Sequence, residues 1–180
     1  EVNYENVRVP QSNRLGEEGA GFLIAQERLG PGRIHHCMRW VGISERAFEL
    51  LCQQALSREV APERTLGMQQ FVQGWISESR AEINAARLMV LHAAWMLDAG
   101  LDARDHIAMV KVHAAETLGR VVDRGVQVFG GMGFCKELPI ERYYRDARIY
   151  RIFDGTSEIH RSVIARSVMK RGAALFDLHR

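Results

Sequence analysis

The sequence predicts an all-α fold, an antiparallel up-and-down helical bundle behind a short extended N-terminal segment. Three observations carry that reading. Apolar residues recur at helical spacing through most of the chain. Period-two alternation is confined to Val7 and Val9, which flank Arg8 just before Pro10. The helical runs are separated by short glycine- or proline-bearing breaks, and short connections favour antiparallel neighbours. The length of 180 residues suits one domain. A compact chain of 20.4 kDa keeps roughly 8,800 Å² of surface.

The elements follow in order. Val7–Val9 is a short extended piece, and QSNRLGEEGAG is a loop. A first long helix is marked by Ile24, Leu29, Ile34, Met38, Val41, Phe48, Leu51, Cys52 and Leu56, with an irregular turn at Gly30-Pro31-Gly32. The pattern lapses around VAPERTLG. A second helix runs from Met68 to about Ala99, with Phe71, Trp75, Ser79, Glu82, Ala86, Met89, Ala93 and Met96 on one face and Gly100 as its stop. Asp102 can cap a third helix, which continues to about Phe129. GGMGF reads as a loop, Pro139 opens a short helix through Phe153, and a fifth helix begins near Thr156 or Ser157 and reaches about Leu175. Ser157 or Asp154 can cap it. Trp40, Trp75 and Trp95 fall on helices as core or interface packing.

Composition excludes several classes. With 47% hydrophobic residues, 26% charged and four prolines, neither disorder nor a collagen-like fibre is compatible. A net charge of +2 does not describe a dedicated nucleic-acid binder. No apolar run is long enough for a membrane span. The first residues lack the basic start and apolar core of a signal peptide. Three cysteines (Cys37, Cys52 and Cys135), without CxxC spacing, do not make a disulfide framework and suit a reduced, intracellular setting. The opening, with no initiator Met, reads as the tail of a strand from a longer chain.

Four groups of residues invite chemistry. Adjacent His35 and His36 point in different directions on a helix, and His106 and His113 lack an acidic partner, so the expected metal set is none. Arg142, Arg145, Arg148 and Arg151 form a drifting stripe beside Glu141 and Asp146, either ion-paired within the protein or facing an anion or interface. Gly130-Gly131-Met132-Gly133 follows a helix rather than a strand, so it is no dinucleotide fingerprint. It is a helix end and turn whose exposed N–H groups could meet an anion. In Phe153-Asp154-Gly155-Thr156-Ser157-Glu158, Asp154 is either a helix cap or a poised carboxylate beside a glycine that admits substrate. Spacing alone leaves both open.

Taken together, VRVPQSNRLGEEGAGF, QVFGGMGF, Pro139 and RDARIYRIFDGTSEIHR resemble, in order, the C-terminal helical domain of the acyl-CoA dehydrogenase family across essentially the whole chain. RLGPGRIHHCMR and SERAFELLCQQALSR resemble the subgroup whose eukaryotic members can carry an N-terminal kinase-like domain. The resemblance implies that residues 1–18 leave a middle β-domain and that 19–180 form the C-terminal bundle of a three-domain flavoenzyme. It implies FAD, an acyl-CoA substrate, α,β-dehydrogenation, electron-transferring flavoprotein as acceptor, and a homodimer or dimer of dimers. The implied compartment is the cytoplasm in a bacterium, and the mitochondrion or peroxisome in a eukaryote.

The family's base, a glutamate, aligns with Asp154, one methylene shorter; the alternative base position before Arg33 is Gly32. Arg33 and Gly155 then lie near substrate. Arg58, Gln127, Gly130 and Gly131 align with residues that receive the cofactor's adenosine diphosphate portion across the dimer interface, and Thr156 and Glu158 with further cofactor contacts. Ala61-Pro62 replaces a family Phe-Gly, and a carboxylate at Glu158 cannot donate to phosphate. A non-catalytic helical oligomerisation module of the same fold is the alternative.

Overall fold

The structure, a computed structural model, describes residues 1–172. Five helices account for most of it: α1 Gly21–Ser57, α2 Gln70–Asp98, α3 Arg104–Phe129, α4 Pro139–Ile149 and α5 Ser157–Arg171. α3 lies at the centre and packs on the other four. Its sequence explains why: Ile107, Val110, Ala114, Ala115, Leu118, Val121 and Val122 are buried on more than one face, so the helix has no wholly polar side to give to water. Trp40, Val41 and Ala47 from α1 and Ile83, Ala86 and Val90 from α2 close the same core. Ion pairs tie the periphery: Glu45 of α1 accepts from Arg80 and Arg87 of α2, and Arg124 of α3 donates to Glu78 and Glu82.

Several elements depart from their sequence reading. No strand forms at Val7–Val9: both valines are exposed, and the only sheet among the described residues is elsewhere, so the extended segment has no edge to pair with. α1 passes through Gly30-Pro31-Gly32 as one helix, giving up the amide that Pro31 lacks; its buried face from Cys37 to Ala55 anchors it on the core. The lapse after α1 is a small antiparallel hairpin, β1 Glu59–Ala61 and β2 Arg64–Thr65, turning through Pro62 and a left-handed Glu63. In α2 the buried set is Val72, Ser79, Ile83, Ala86, Val90 and Ala93, while Phe71 is 82% exposed. The expected face is thus rotated toward the β-branched residues that meet α3. Trp40 is buried, whereas Trp95 stands exposed.

GGMGF is a 3-10 turn, Gly130–Phe134, rather than an open loop. Gly133 presses on α3 so closely that a β-carbon there would sit 2.5 Å from the Val126 carbonyl oxygen. α4 stops at Ile149 instead of Phe153, and α5 runs through Arg171; the expected continuation to Leu175 lies outside the described residues. The Asp102 carboxylate accepts from the Arg104 N–H at 3.0 Å at the start of α3. Neither Ser157 nor Asp154 caps α5. Thr156 does, its hydroxyl oxygen accepting from the Ile159 N–H at 3.3 Å. Thr156→Ala is expected to lower stability by about 1 kcal/mol, read by thermal unfolding, whereas Asp154→Asn should leave it unchanged.

The chain exposes 12,484 Å², well above the roughly 8,800 Å² of a compact monomer of this mass. The excess has visible sources in the unpacked N-terminal segment and in apolar side chains such as Leu88, Leu91 and Trp95, which share one outward face of α2.

Candidate active site

The residues singled out from the sequence gather in two places. The first is the loop between α4 and α5. Lys111 of α3 is fully buried, and its ammonium donates to the carbonyl oxygens of Tyr150 at 3.0 Å and Gly155 at 2.6 Å. It lies 5.9 Å from the centre of the Trp40 ring. Both ends of the loop are thereby fastened to the central helix. Arg33 Nε of α1 donates to the Asp154 carbonyl oxygen at 2.9 Å, and His160 Nε2 of α5 lies 3.1 Å from the same oxygen. Asp154 and Gly155 take successive left-handed conformations, with φ of 55° and 90°. A β-carbon at 155 would stand 2.9 Å from His160 Nε2, so glycine is demanded twice over.

This clamp acts on the Asp154 backbone and sends its side chain away from the α5 N-terminus. The carboxylate is about one-fifth exposed, with Oδ2 enclosed and 3.3 Å from His36 Nε2, off the line of a good hydrogen bond. Burial lowers the Arg33, Lys111 and His160 pKa values, and contact with Asp154 opposes that fall at each. The nearby Cys37 thiol is pushed up to about 12 by burial and stays protonated. A groove of about 770 Å³ runs past Arg33, Gly155 and His160, walled by Leu97, Leu101 and Ile107. Gly32, at the alternative base position, adds no functional side chain.

The second place is the far end of α1. Arg58 terminates that helix, and its guanidinium Nη1 lies 3.4 Å from where a β-carbon on Gly130 would be. Gly130 adopts φ 63° and ψ −138°, a conformation open to glycine, and its own N–H is taken by the Gln127 and Val126 carbonyls. Exposed Gln127 and Gly131 adjoin it. An anion there would meet the Arg58 guanidinium and a surface free of β-carbons; an FAD diphosphate fits that chemistry. Thr156 and Glu158 fit it less well. The Thr156 hydroxyl already accepts from the Ile159 N–H, and the exposed Glu158 carboxylate can only accept. Arg33 and Arg58 stand 25 positions apart on α1, and Lys111 and Gly130 19 apart along α3, so at 1.5 Å rise per residue the two places are on the order of 30 Å apart. One flavin dinucleotide does not span that distance.

Within the arginine stripe, Arg142 pairs with Asp146 and Arg145 with Glu141 along α4. Among the described residues no three His, Cys, Asp or Glu side chains converge as a metal site, and no helix is long and apolar enough to cross a membrane. Three residues of the site, Lys111, His36 and His160, escaped sequence reading as site residues. Lys111 left a signal, a lone lysine in the core-facing series Ile107, Ala114, Leu118. His36 left none, because its partner comes from a loop 118 positions away.

The pH response of the fold follows from burial. His36, His106 and His160 are all held below the ordinary histidine value of 6.5, chiefly by burial. As pH falls through 6.5 the unfolded chain takes up protons that the folded one refuses, so stability drops. The melting temperature should therefore fall between about pH 7.5 and 5.5. Glu45, held low by its hydrogen bond to Arg80, contributes above 4.5 and does not titrate in that window.

Residues 19–169 match the family described as "Acyl-CoA dehydrogenase, C-terminal domain". The "Probable acyl-CoA dehydrogenase FadE2" of Mycobacterium tuberculosis is 47% identical over 98% of this chain and 44% of its own length. Human "Acyl-CoA dehydrogenase family member 11" is 43% identical over 92% of the chain and 21% of its own length. The structure titled "PigA with FAD and proline" superposes with a TM-score of 0.86 at 30% identity, covering 94% of this chain and 44% of that one. The chain belongs to the acyl-CoA dehydrogenase family, as its C-terminal helical domain. It spans less than half the length of these relatives.

Proposed function

We propose that the protein containing this chain is an FAD-dependent acyl-CoA dehydrogenase, and that Asp154 removes the α-proton of the thioester. The observation that carries the reading is the clamped Asp154: its carbonyl is held by Arg33 and His160 while its carboxylate is left out of helix capping. A carboxylate freed in this way and partly withdrawn from water suits a general base. Bound FAD would supply the acceptor for the β-hydrogen as hydride. Arg33 and Lys111 fix the loop and place positive charge behind the base, and Gly155 lets the acyl group approach. Aspartate reaches about 1.5 Å less than glutamate, so the substrate must sit correspondingly closer.

The wide separation of the two places supports a further part of the reading. Arg58, Gln127, Gly130 and Gly131 would serve the adenosine diphosphate portion of a cofactor held by a neighbouring copy, while Thr156 and Glu158 lie beside the chain's own. The outward apolar face of α2 supports a homo-oligomer. Electron-transferring flavoprotein would reoxidise the flavin.

Anaerobic addition of straight and branched acyl-CoAs to the full-length, FAD-loaded protein should bleach the flavin and yield an enoyl-CoA. No bleaching with any of them would overturn the reading. Ala61-Pro62, standing where the family carries Phe-Gly and leading into a tight turn at Glu63, favours a second reading as an oligomerisation module. Stable self-association without flavin in the full-length protein would select it.

A further inference from the structure

We propose that His36 is a positioning residue for the Asp154 carboxylate, holding Oδ2 so that Oδ1 is the oxygen turned to the substrate. The inference rests on the reading of Asp154 as the base. His36 is set on three sides. Its ring stacks on Trp40, 20° from parallel with centroids 6.4 Å apart, and meets Phe153 edge-on at 5.7 Å. Arg39 Nη2 approaches its Nδ1 at 2.7 Å. A guanidinium only donates, so Nδ1 must accept, and the neutral ring then carries its proton on Nε2. That nitrogen faces Asp154 Oδ2 at 3.3 Å.

The contact is long and off line as it stands, and such bonds tighten when substrate closes the site. Oδ2 is the atom that needs it, being enclosed without another hydrogen-bond partner. Burial, reinforced by Arg39, His35 and Arg28 on the same helix, favours the neutral ring against the pull of Asp154. Arg33 and Lys111 also act on Asp154 but grip the backbone of its loop, through the carbonyls of residues 150, 154 and 155. Only His36 approaches the carboxylate itself at hydrogen-bonding distance, among the described contacts. A shorter side chain with one oxygen tethered presents a fixed second oxygen, which suits aspartate at a position where reach is limiting.

The test uses the full-length, FAD-loaded protein and an acyl-CoA that bleaches it, with stopped-flow flavin reduction followed against pH. His36→Phe keeps the ring packing and removes the donor; His36→Gln keeps a donor. The Phe variant should retain flavin content and acyl-CoA affinity while reducing flavin roughly 10- to 100-fold more slowly, as expected for loss of a hydrogen bond to a charged group. The acid limb of its profile should move to higher pH, because the donor stabilised the ionised carboxylate. Gln should recover part of both. Wild-type rate and profile in the Phe variant would overturn the proposal, as would slower reduction with an unmoved acid limb. An inactive Asp154→Asn beside a normal His36→Phe rejects only the role of His36; an active Asp154→Asn rejects the base itself.

Discussion

Asp154→Asn in the full-length protein is expected to fold, bind FAD and reduce it about two to four orders of magnitude more slowly on acyl-CoA addition, the usual cost of losing a general base. The structure makes this substitution unusually clean. Asparagine tolerates left-handed backbone as well as aspartate does, so φ of 55° adds no new strain. The Asp154 carbonyl, not its side chain, receives Arg33 and His160, and those contacts survive. Helix α5 keeps its cap on Thr156. Unfolding temperature and flavin content should therefore stay near wild type while single-turnover reduction collapses. Near wild-type reduction would take Asp154 out of the chemistry, and Gly32 offers no replacement.

Lys111→Met is expected to cost about 3 kcal/mol of stability, measured by denaturant unfolding. Methionine matches the lysine stem in a fully buried site but leaves the Tyr150 and Gly155 carbonyls without their donor, at about 1–3 kcal/mol each. Removing the burial penalty of the ammonium, which lowers its pKa here, offsets part of that. The loop that carries Asp154 would lose both ties to α3. Acyl-CoA-dependent reduction should fall by about tenfold or more even below the unfolding transition, since small misplacements of a base are costly. A variant as stable as wild type would show that the loop is held by its flanking helices instead.

Much of the fold was legible because helical periodicity and glycine or proline breaks are local signals. Helices α1, α2 and α3 start and stop near their expected places, and α5 starts near its own. The misses share a physical cause, in that each depended on a partner distant in sequence. Val7–Val9 alternates like a strand but meets no edge. The buried face of α2 is set by what α3 presents, and Val72 and Ile83 win that contact over Phe71. α4 ends at Ile149, where a lysine 39 positions before Tyr150 supplies the donor for the Tyr150 carbonyl.

By itself the sequence determined an all-α bundle, its family resemblance through QVFGGMGF and FDGTSEIHR, and the named candidates Asp154, Arg58 and Gly130. Those are properties of local spacing and residue type, which a linear chain displays. Only the tertiary structure decided that Thr156 rather than Asp154 caps α5, and that the Asp154 backbone is clamped while its carboxylate turns to His36. It alone brought Arg58 to Gly130 while setting that pair far along α1 from the Asp154 loop. A carboxylate beside a helix start satisfies capping and catalysis equally well in one dimension. The choice depends on which donors hold the backbone around it in three, and those donors come from α1, α3 and α5 at once.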